Sequence, residues 1–195
     1  MDNEIIIIGG FTNAGKDFSS NILVDRYGYN FVISTTSRPM RSYETQDDPY
    51  HFVDNKTFLQ RVEDGKFIEY RSYEPKVKDG EQGVVWYYGV EKTEIKDNKK
   101  YVVVLDPLGT REFKKHFKDR AISFFLDLEE ELRQRRNIDR GDYLKEEWNR
   151  RNKDDKERFT KEIIRRDFDY KVYSLRAMSV VDFILNVIGG SKNEI

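Results

Sequence analysis

The chain has no cysteine, which excludes disulfide staples and thiolate metal sites. Its two histidines, His51 and His116, lie far apart in sequence and give no basis for an imidazole-rich metal centre. No apolar run approaches the roughly 20 residues of a membrane span, and the N-terminus lacks the basic flank and cleavage region of a signal peptide. The expectation is a soluble, cytoplasmic protein with no membrane partner. Charge of one sign is missing too. The 35 basic and 36 acidic side chains leave a net charge of -1, which removes any global electrostatic case for nucleic acid. What remains is a 195-residue chain, 36% of it charged, long enough to bury about 70% of its unfolded surface as one domain. Any anion site in it must be a local selection of basic groups within a mixed surface.

The stretch from Glu4 to Ser20, EIIIIGGFTNAGKDFSS, is one such selection. The β-branched run Ile5–Ile8 reads as a strand buried on both faces. From Gly10 the spacing G-x-x-x-x-G-K places Gly15 and Lys16 where a phosphate-binding loop needs them: glycines let backbone N–H groups wrap oxygens, and the lysine adds a mobile charge. Asp17 stands where a magnesium-side hydroxyl normally follows the lysine. Phe18, Ile22 and Leu23 recur at helical spacing until Gly28. A plain strand-to-helix turn is the alternative reading of the pattern. The strand before the loop and the helix after it favour a nucleotide phosphate site.

Asn30–Ser34 reads as a second strand. Beyond it, Arg38 and Arg41 leave one short non-helical segment, as two guanidinium forks for phosphate or as solvated surface groups. Tyr50–Val53 is strand-like, and Asp54 caps a helix carrying Phe58 and Val62 up to Asp64-Gly65. Glu69 interrupts the strand Phe67–Tyr70, where an acid commonly faces water. Residues 74–83 read as an exposed loop, and VVWYYG as an aromatic strand ending at Gly89. Tyr101–Leu105 is a second buried strand. Asp106 ends it, on the sheet edge where open α/β folds place ligands, and is equally placed to cap a helix over Gly109–Phe117. Ala121–Leu126 and Asp169–Leu175 complete the strands, and Val180, Val181, Ile184 and Ile188 line the apolar face of a last helix. The alternation predicts an α/β sandwich with a mainly parallel sheet. Between residues 129 and 166, 13 basic side chains meet 11 acidic ones, so the segment reads as a solvated helical pair rather than a nucleic-acid arm. A break at Gly141-Asp142 suits it to be a mobile lid.

In this order STTSRPMR, YHFV, GKFIEY, WYYG, VLDPLG and DYKVYSL resemble motifs of the guanylate kinase family. The resemblance implies a P-loop three-layer α/β/α fold with a mainly parallel central sheet. In it, residues 1–33, 99–128 and 167–195 form the core of a single domain, residues 34–98 an acceptor-binding insertion, and residues 129–166 a mobile helical lid with its long helix. The implied activity is transfer of the γ-phosphoryl of ATP to GMP or dGMP with Mg2+. Gly10, Asn13, Ala14, Gly15, Lys16, Asp17 and Phe18 would surround the ATP phosphates. Arg38, Arg41, Tyr50 and Tyr88 would hold the acceptor phosphate, and Ser34, Glu69 and Asp106 would face its base. Arg136, Arg140 and Arg151 would be the lid arginines, with Arg135 a rival to Arg136.

Two positions depart from the family pattern. The glycine-lysine-aspartate ending resembles phage deoxynucleoside monophosphate kinases, with Asp17 the candidate magnesium ligand, and Val90 replaces a Ser or Thr that touches the base. Residues 74–83 look like an insertion. Nucleotides are the expected partners of a monomer or homodimer. The alternatives are a kinase of the same fold with another acceptor, or a binding module that has lost ATP chemistry.

Overall fold

The computed structural model describes residues 4–41, 44–74, 84–96, 98–141 and 143–190. They fall into two compact units, one made by Val32–Lys99 and the other by Glu4–Phe31 together with the chain from Lys100 onward. In the larger unit the isoleucine run is the middle of strand β1 (Glu4–Gly10). β2 (Asn30–Phe31) follows it, and the sheet continues with the strands Lys100–Val104, Ala121–Asp127 and Tyr170–Tyr173. All its pairings are parallel, with β1 between Lys100–Val104 and Ala121–Asp127. Every side chain from Ile5 to Ile8 is fully buried, as a central strand covered on both faces requires.

Helix α1 (Lys16–Tyr27) and a C-terminal helix (Ala177–Gly190) cover one face of this sheet. Ile22 and Leu23 meet Val180, Val181, Ile184 and Ile188 there, over Ile6, Ile8 and Val102. On the other face Phe125 packs with Phe159 and Phe168, and Ile164 joins them. The helix Pro107–Phe117 lies against the strands β1 and Ala121–Asp127 and against the short helix Lys161–Asp167. The three layers α/β/α follow. Phe18, expected on the packed face of α1, is instead 67% exposed: it sits in the first turn, before the helix reaches the sheet. The solvated pair expected over residues 129–166 is three helices, Glu130–Asp139, Lys145–Arg158 and Lys161–Asp167. Arg133, Trp148 and Asn152 of this segment are buried.

The smaller unit holds a mixed five-stranded sheet. In chain order its strands are β3 (Ser34–Thr36), β4 (Thr45–Gln46), β5 (Pro49–Phe52), β6 (Phe67–Tyr73) and β7 (Trp86–Glu91), and their spatial order is β4-β5-β3-β7-β6. The strand expected over Asn30–Ser34 is thus divided, Asn30–Phe31 pairing with Lys100–Val104 and Ser34–Thr36 with β5 and β7. β7 runs two residues past Gly89, because its antiparallel ladder with β6 continues to Phe67↔Glu91. Asp54 caps the helix α2 (Asn55–Glu63), accepting the Thr57 N–H at 2.6 Å. Phe58, fully buried, stacks on Phe67 and Tyr87 at 4.5 and 5.4 Å. Of the loop expected at 74–83, residues 75–83 lie outside the described residues, as does Asp142 of the expected lid break. No described helix is long and apolar enough to cross a membrane.

The remaining elements of the larger unit are, in chain order, β8 (Lys100–Val104), α3 (Pro107–Phe117), β9 (Ala121–Asp127), α4 (Glu130–Asp139), α5 (Lys145–Arg158), α6 (Lys161–Asp167), β10 (Tyr170–Tyr173) and α7 (Ala177–Gly190).

Candidate functional site

The turn between β1 and α1 is shaped by two glycines. A Cβ on Gly10 would lie 2.6 Å from the Leu126 carbonyl oxygen, and Gly15 takes φ +96° as the N-cap of α1, a conformation that favours glycine. Asn13 between them adopts φ 62°, which asparagine tolerates better than most residues. The Lys16 ammonium folds back over the loop and donates to the carbonyls of Gly10 (3.0 Å) and Phe11 (2.9 Å). Burial pushes its pKa below the ordinary value, an effect opposed by Asp17 and Asp155 and reinforced by Arg133 and Arg151. Asp17 is exposed in the first turn of α1, where a carboxylate meets the positive end of the helix.

A cavity of about 690 Å³ opens over this loop, and Asn13, Lys16, Asp17, Phe18, Arg136 and Arg140 are among its walls. Exposed Phe18 thereby gains a place: it is part of the cavity wall. Arg136 reaches the loop from α4. Its guanidinium donates to the Asn13 carbonyl at 3.2 Å and to the carbonyls of Ser174 (3.0 Å) and Leu175 (2.9 Å) past the end of β10. Ser174 Oγ donates to the Ala14 carbonyl at 2.8 Å. Arg135, next to Arg136 on α4, is exposed, so Arg136 is the one of the two that meets the loop. Arg151, on α5, is ion-paired at 2.6 Å with Glu147 one turn back. Glu147 also meets Arg150, and the two guanidinium groups, Arg150 first, pull its carboxyl down to about 2.

Three residues that sequence reasoning left unassigned also hold the loop. The Arg133 side chain, 3% exposed, lies beneath it, Asp155 accepts a loop N–H, and Ser174 ties its far end. Two of the three sit in charge-rich runs and carry no distinguishing signal in the sequence.

In the smaller unit Arg38 is buried and makes a fork-to-fork pair with Glu44, Nη1 to Oε2 at 3.0 Å and Nη2 to Oε1 at 2.8 Å. Its guanidinium lies over the rings of Tyr50 (5.6 Å) and Phe52 (5.5 Å). Tyr50 and Tyr88 meet edge to face at 5.9 Å. Burial raises the Tyr88 phenol above its usual pKa, against the opposing pull of Arg38 and Arg41. The structure thus gathers Arg38, Arg41, Tyr50 and Tyr88 into one aromatic-walled group, with the Glu44 carboxylate between the two arginines. Glu69 is buried on β6, its carboxylate 3.2 Å from the Arg71 guanidinium, and Ser34 opens β3. Asp106 belongs to the larger unit, where it caps α3 by accepting the Gly109 N–H at 3.0 Å. Glu44 was not anticipated, since it reads as one more charge in a polar segment.

Comparison with known proteins bears on this arrangement. Residues 2–177 match the family model described as Guanylate kinase. The guanylate kinase of Porphyromonas gingivalis is 32% identical over 130 residues, covering 63% of this chain and 64% of that protein. That of Bacteroides thetaiotaomicron is 32% identical over 131 residues, covering 65% and 60%. The chain thus spans slightly less than two thirds of the length of these relatives. The crystal structure of guanylate kinase from Anaplasma phagocytophilum matches with a TM-score of 0.66 at 20% identity, over 99% of this chain and 88% of that one. Shikimate kinase from Acinetobacter baumannii matches with a TM-score of 0.51 at 14% identity, over 100% and 96%. At such identities the structural likeness speaks for the fold, an α/β kinase fold with a parallel central sheet.

Proposed function

Because the chain belongs to the guanylate kinase family, we propose that it transfers the γ-phosphoryl group of ATP to GMP or dGMP, releasing ADP and the nucleoside diphosphate. The observation that carries this reading is the Lys16 loop opening into a cavity walled by Arg136 and Arg140. In this reading an oxygen of the acceptor phosphate bonds to the γ phosphorus as the bond from that phosphorus to the β–γ bridging oxygen breaks, and the electron pair leaves with ADP. The attacking oxygen is already anionic, so no general base is needed. Catalysis rests on alignment and on positive charge around the transferring group.

Lys16 supplies that charge beside the β and γ phosphates by exchanging its two carbonyl partners for phosphate oxygens. The incoming phosphates also counter the burial that disfavours its ammonium form. Gly10, Asn13, Ala14, Gly15, Asp17 and Phe18 frame the donor phosphates, and Arg140 and Arg151 approach them from α4, α5 and their connection, which serve as the lid. Arg136, already bonded to three carbonyls, fixes the loop and adds positive potential. Val32–Lys99 receives the acceptor. Arg38, Arg41, Tyr50 and Tyr88 hold its phosphate, and Ser34 and Glu69 address its base. Val90 is buried and has no hydroxyl, which leaves guanine selectivity chiefly to the buried Glu69 carboxylate.

A magnesium ion neutralises phosphate charge in reactions of this class. Among the described residues no group of three or more His, Asp or Glu side chains is placed to hold a metal. The nucleotide phosphates would hold it, with exposed Asp17 the fitting protein carboxylate, directly or through water.

The test is ADP release with ATP, magnesium and a panel of nucleoside monophosphates, with Lys16→Ala as control. GMP or dGMP should stimulate release strongly in the wild type and not in the variant. If another monophosphate does so instead, the acceptor is misassigned; if none exceeds the Lys16→Ala background, the kinase reading fails.

A further inference from the structure

We propose that Asp155 and Arg133 form a positioning clamp that shapes the donor phosphate loop, an inference that rests on the kinase reading above. Both backbone polar groups of Thr12 are held by side chains of the lid segment. Its N–H donates to Asp155 Oδ2 at 2.6 Å, and its carbonyl accepts from Arg133 Nη1 at 3.4 Å. The next residue is held as well. Asn13 Nδ2 donates to the Arg133 carbonyl at 3.4 Å, and the Asn13 carbonyl accepts from Arg136 at 3.2 Å. Asn13 is the non-glycine residue of this loop with positive φ, and a non-glycine residue in that region persists where its surroundings over-determine it. The clamp supplies that determination.

Arg133 has little freedom to do anything else. Its Nε donates to the Leu128 carbonyl and its Nη2 to Asn152 Oδ1, both at 3.1 Å. The guanidinium lies over the rings of Phe11 at 4.7 Å and Trp148 at 5.6 Å. Asp155 Oδ2 stands 3.9 Å from Arg133 Nη1, so one carboxylate both accepts the loop N–H and offsets a buried cation.

Position decides between a clamp and a competitor for phosphate. The cavity wall takes Asn13 to Ser19 from this part of the chain, but neither Thr12, Arg133 nor Asp155. The carboxylate thus acts on the loop from outside the lining of that cavity. It orders the Thr12 backbone through its hydrogen bond, whereas a carboxylate seated in the phosphate's place would, on removal, leave ATP bound more tightly. Ordering the loop before ATP arrives removes that entropic cost from binding.

The experiment measures ATP binding by calorimetry without acceptor, together with KM for ATP and for GMP, in the wild type, Asp155→Ala, Asp155→Asn, Arg133→Lys and Lys16→Ala. Loss of a hydrogen bond to a charged group predicts that Asp155→Ala weakens ATP about tenfold. KM for ATP should rise to match while KM for GMP stays unchanged. Asp155→Asn, whose carboxamide oxygen still accepts from Thr12, should recover most of the loss. Arg133→Lys keeps the charge but loses the fork, so it should weaken ATP whether or not Asp155→Ala folds. Wild-type ATP affinity in both Asp155→Ala and Arg133→Lys overturns the clamp, as do tighter binding in Asp155→Ala or an equal rise in both KM values. Absence of ATP binding in the wild type, matching Lys16→Ala, instead removes the kinase reading and the clamp with it.

Discussion

Replacing Glu44 by alanine isolates the energetics of the acceptor unit. Arg38 and Glu44 expose only 7% and 3% of their side chains, and their pair is bidentate. Glu44 Oε2 also accepts the Arg41 N–H at 2.8 Å. Taking the carboxylate away removes both arms of the fork-to-fork pair and leaves a buried guanidinium beside the Pro39 carbonyl at 2.7 Å and Tyr88. Breaking one side of a buried pair in this way costs about 3 kcal/mol or somewhat more, which for a chain of this size is a fall of roughly 6–12 °C in Tm. The assay is urea and thermal unfolding followed at Trp86, which stacks on Tyr73 within the same unit, in a Trp148→Phe background. Adding Arg38→Met to Glu44→Ala should restore part of the loss, because it removes the orphaned charge. A Glu44→Ala cost below about 1 kcal/mol would place the pair with ordinary surface ion pairs. Absence of recovery in the double variant would refute the attribution to Arg38. The same pair sets a pH dependence. The hydrogen bonds from Arg38 hold the Glu44 carboxyl below its ordinary value of 4.5. Its contribution is therefore fully present above that value and is lost as pH falls through the lowered one. The Glu44→Ala penalty should shrink on acidification over that window.

Gly10→Ala should destabilise the larger unit by about 1–3 kcal/mol and abolish ATP binding, because the added Cβ would meet backbone of the paired strand at 2.6 Å; an unchanged unfolding midpoint would show that the loop yields. Phe58→Ala, which empties the middle of a three-ring stack, should cost about 3–5 kcal/mol in chemical denaturation, and a loss below 1 kcal/mol would mean that α2 collapses into the gap.

The legible parts of the fold were those set by local rules. Ile5–Ile8 announces a central strand by composition alone. Asp54 and Asp106 sit where helix caps belong, and the stripe from Val180 to Ile188 has one period and one face. Pairing partners follow no local rule. Val32 and Ile33 look like the continuation of a strand, and nothing nearby says that the chain changes sheets there. The exposure of Phe18 is equally a matter of context, because the first turn of α1 borders the cavity. Arg136 and Arg135 differ by one step, about 100° around a helix, and only the packing of α4 puts the former on the loop. Arg133, Asp155 and Glu44 have the composition of solvated charge. The placing of Arg133 and Asp155 depends on chain segments far from them, Thr12 lying 143 positions before Asp155, and that of Glu44 on a fold of its own segment that turns Arg38, six positions back, onto it.

The bond from Ser174 to Ala14 spans 160 positions, and this has a bearing on synthesis. The loop leaves the ribosome before α4, α5 and the residues after β10, on which its final form depends. A nascent chain has β1 early but must wait for both flanking strands, β8 and β9, and then for Ser174, before the loop is held as in the finished protein. Nucleotide binding should therefore begin abruptly, once residue 174 has emerged, and a chain released much before it would carry the whole phosphate-loop motif without the means to keep its shape.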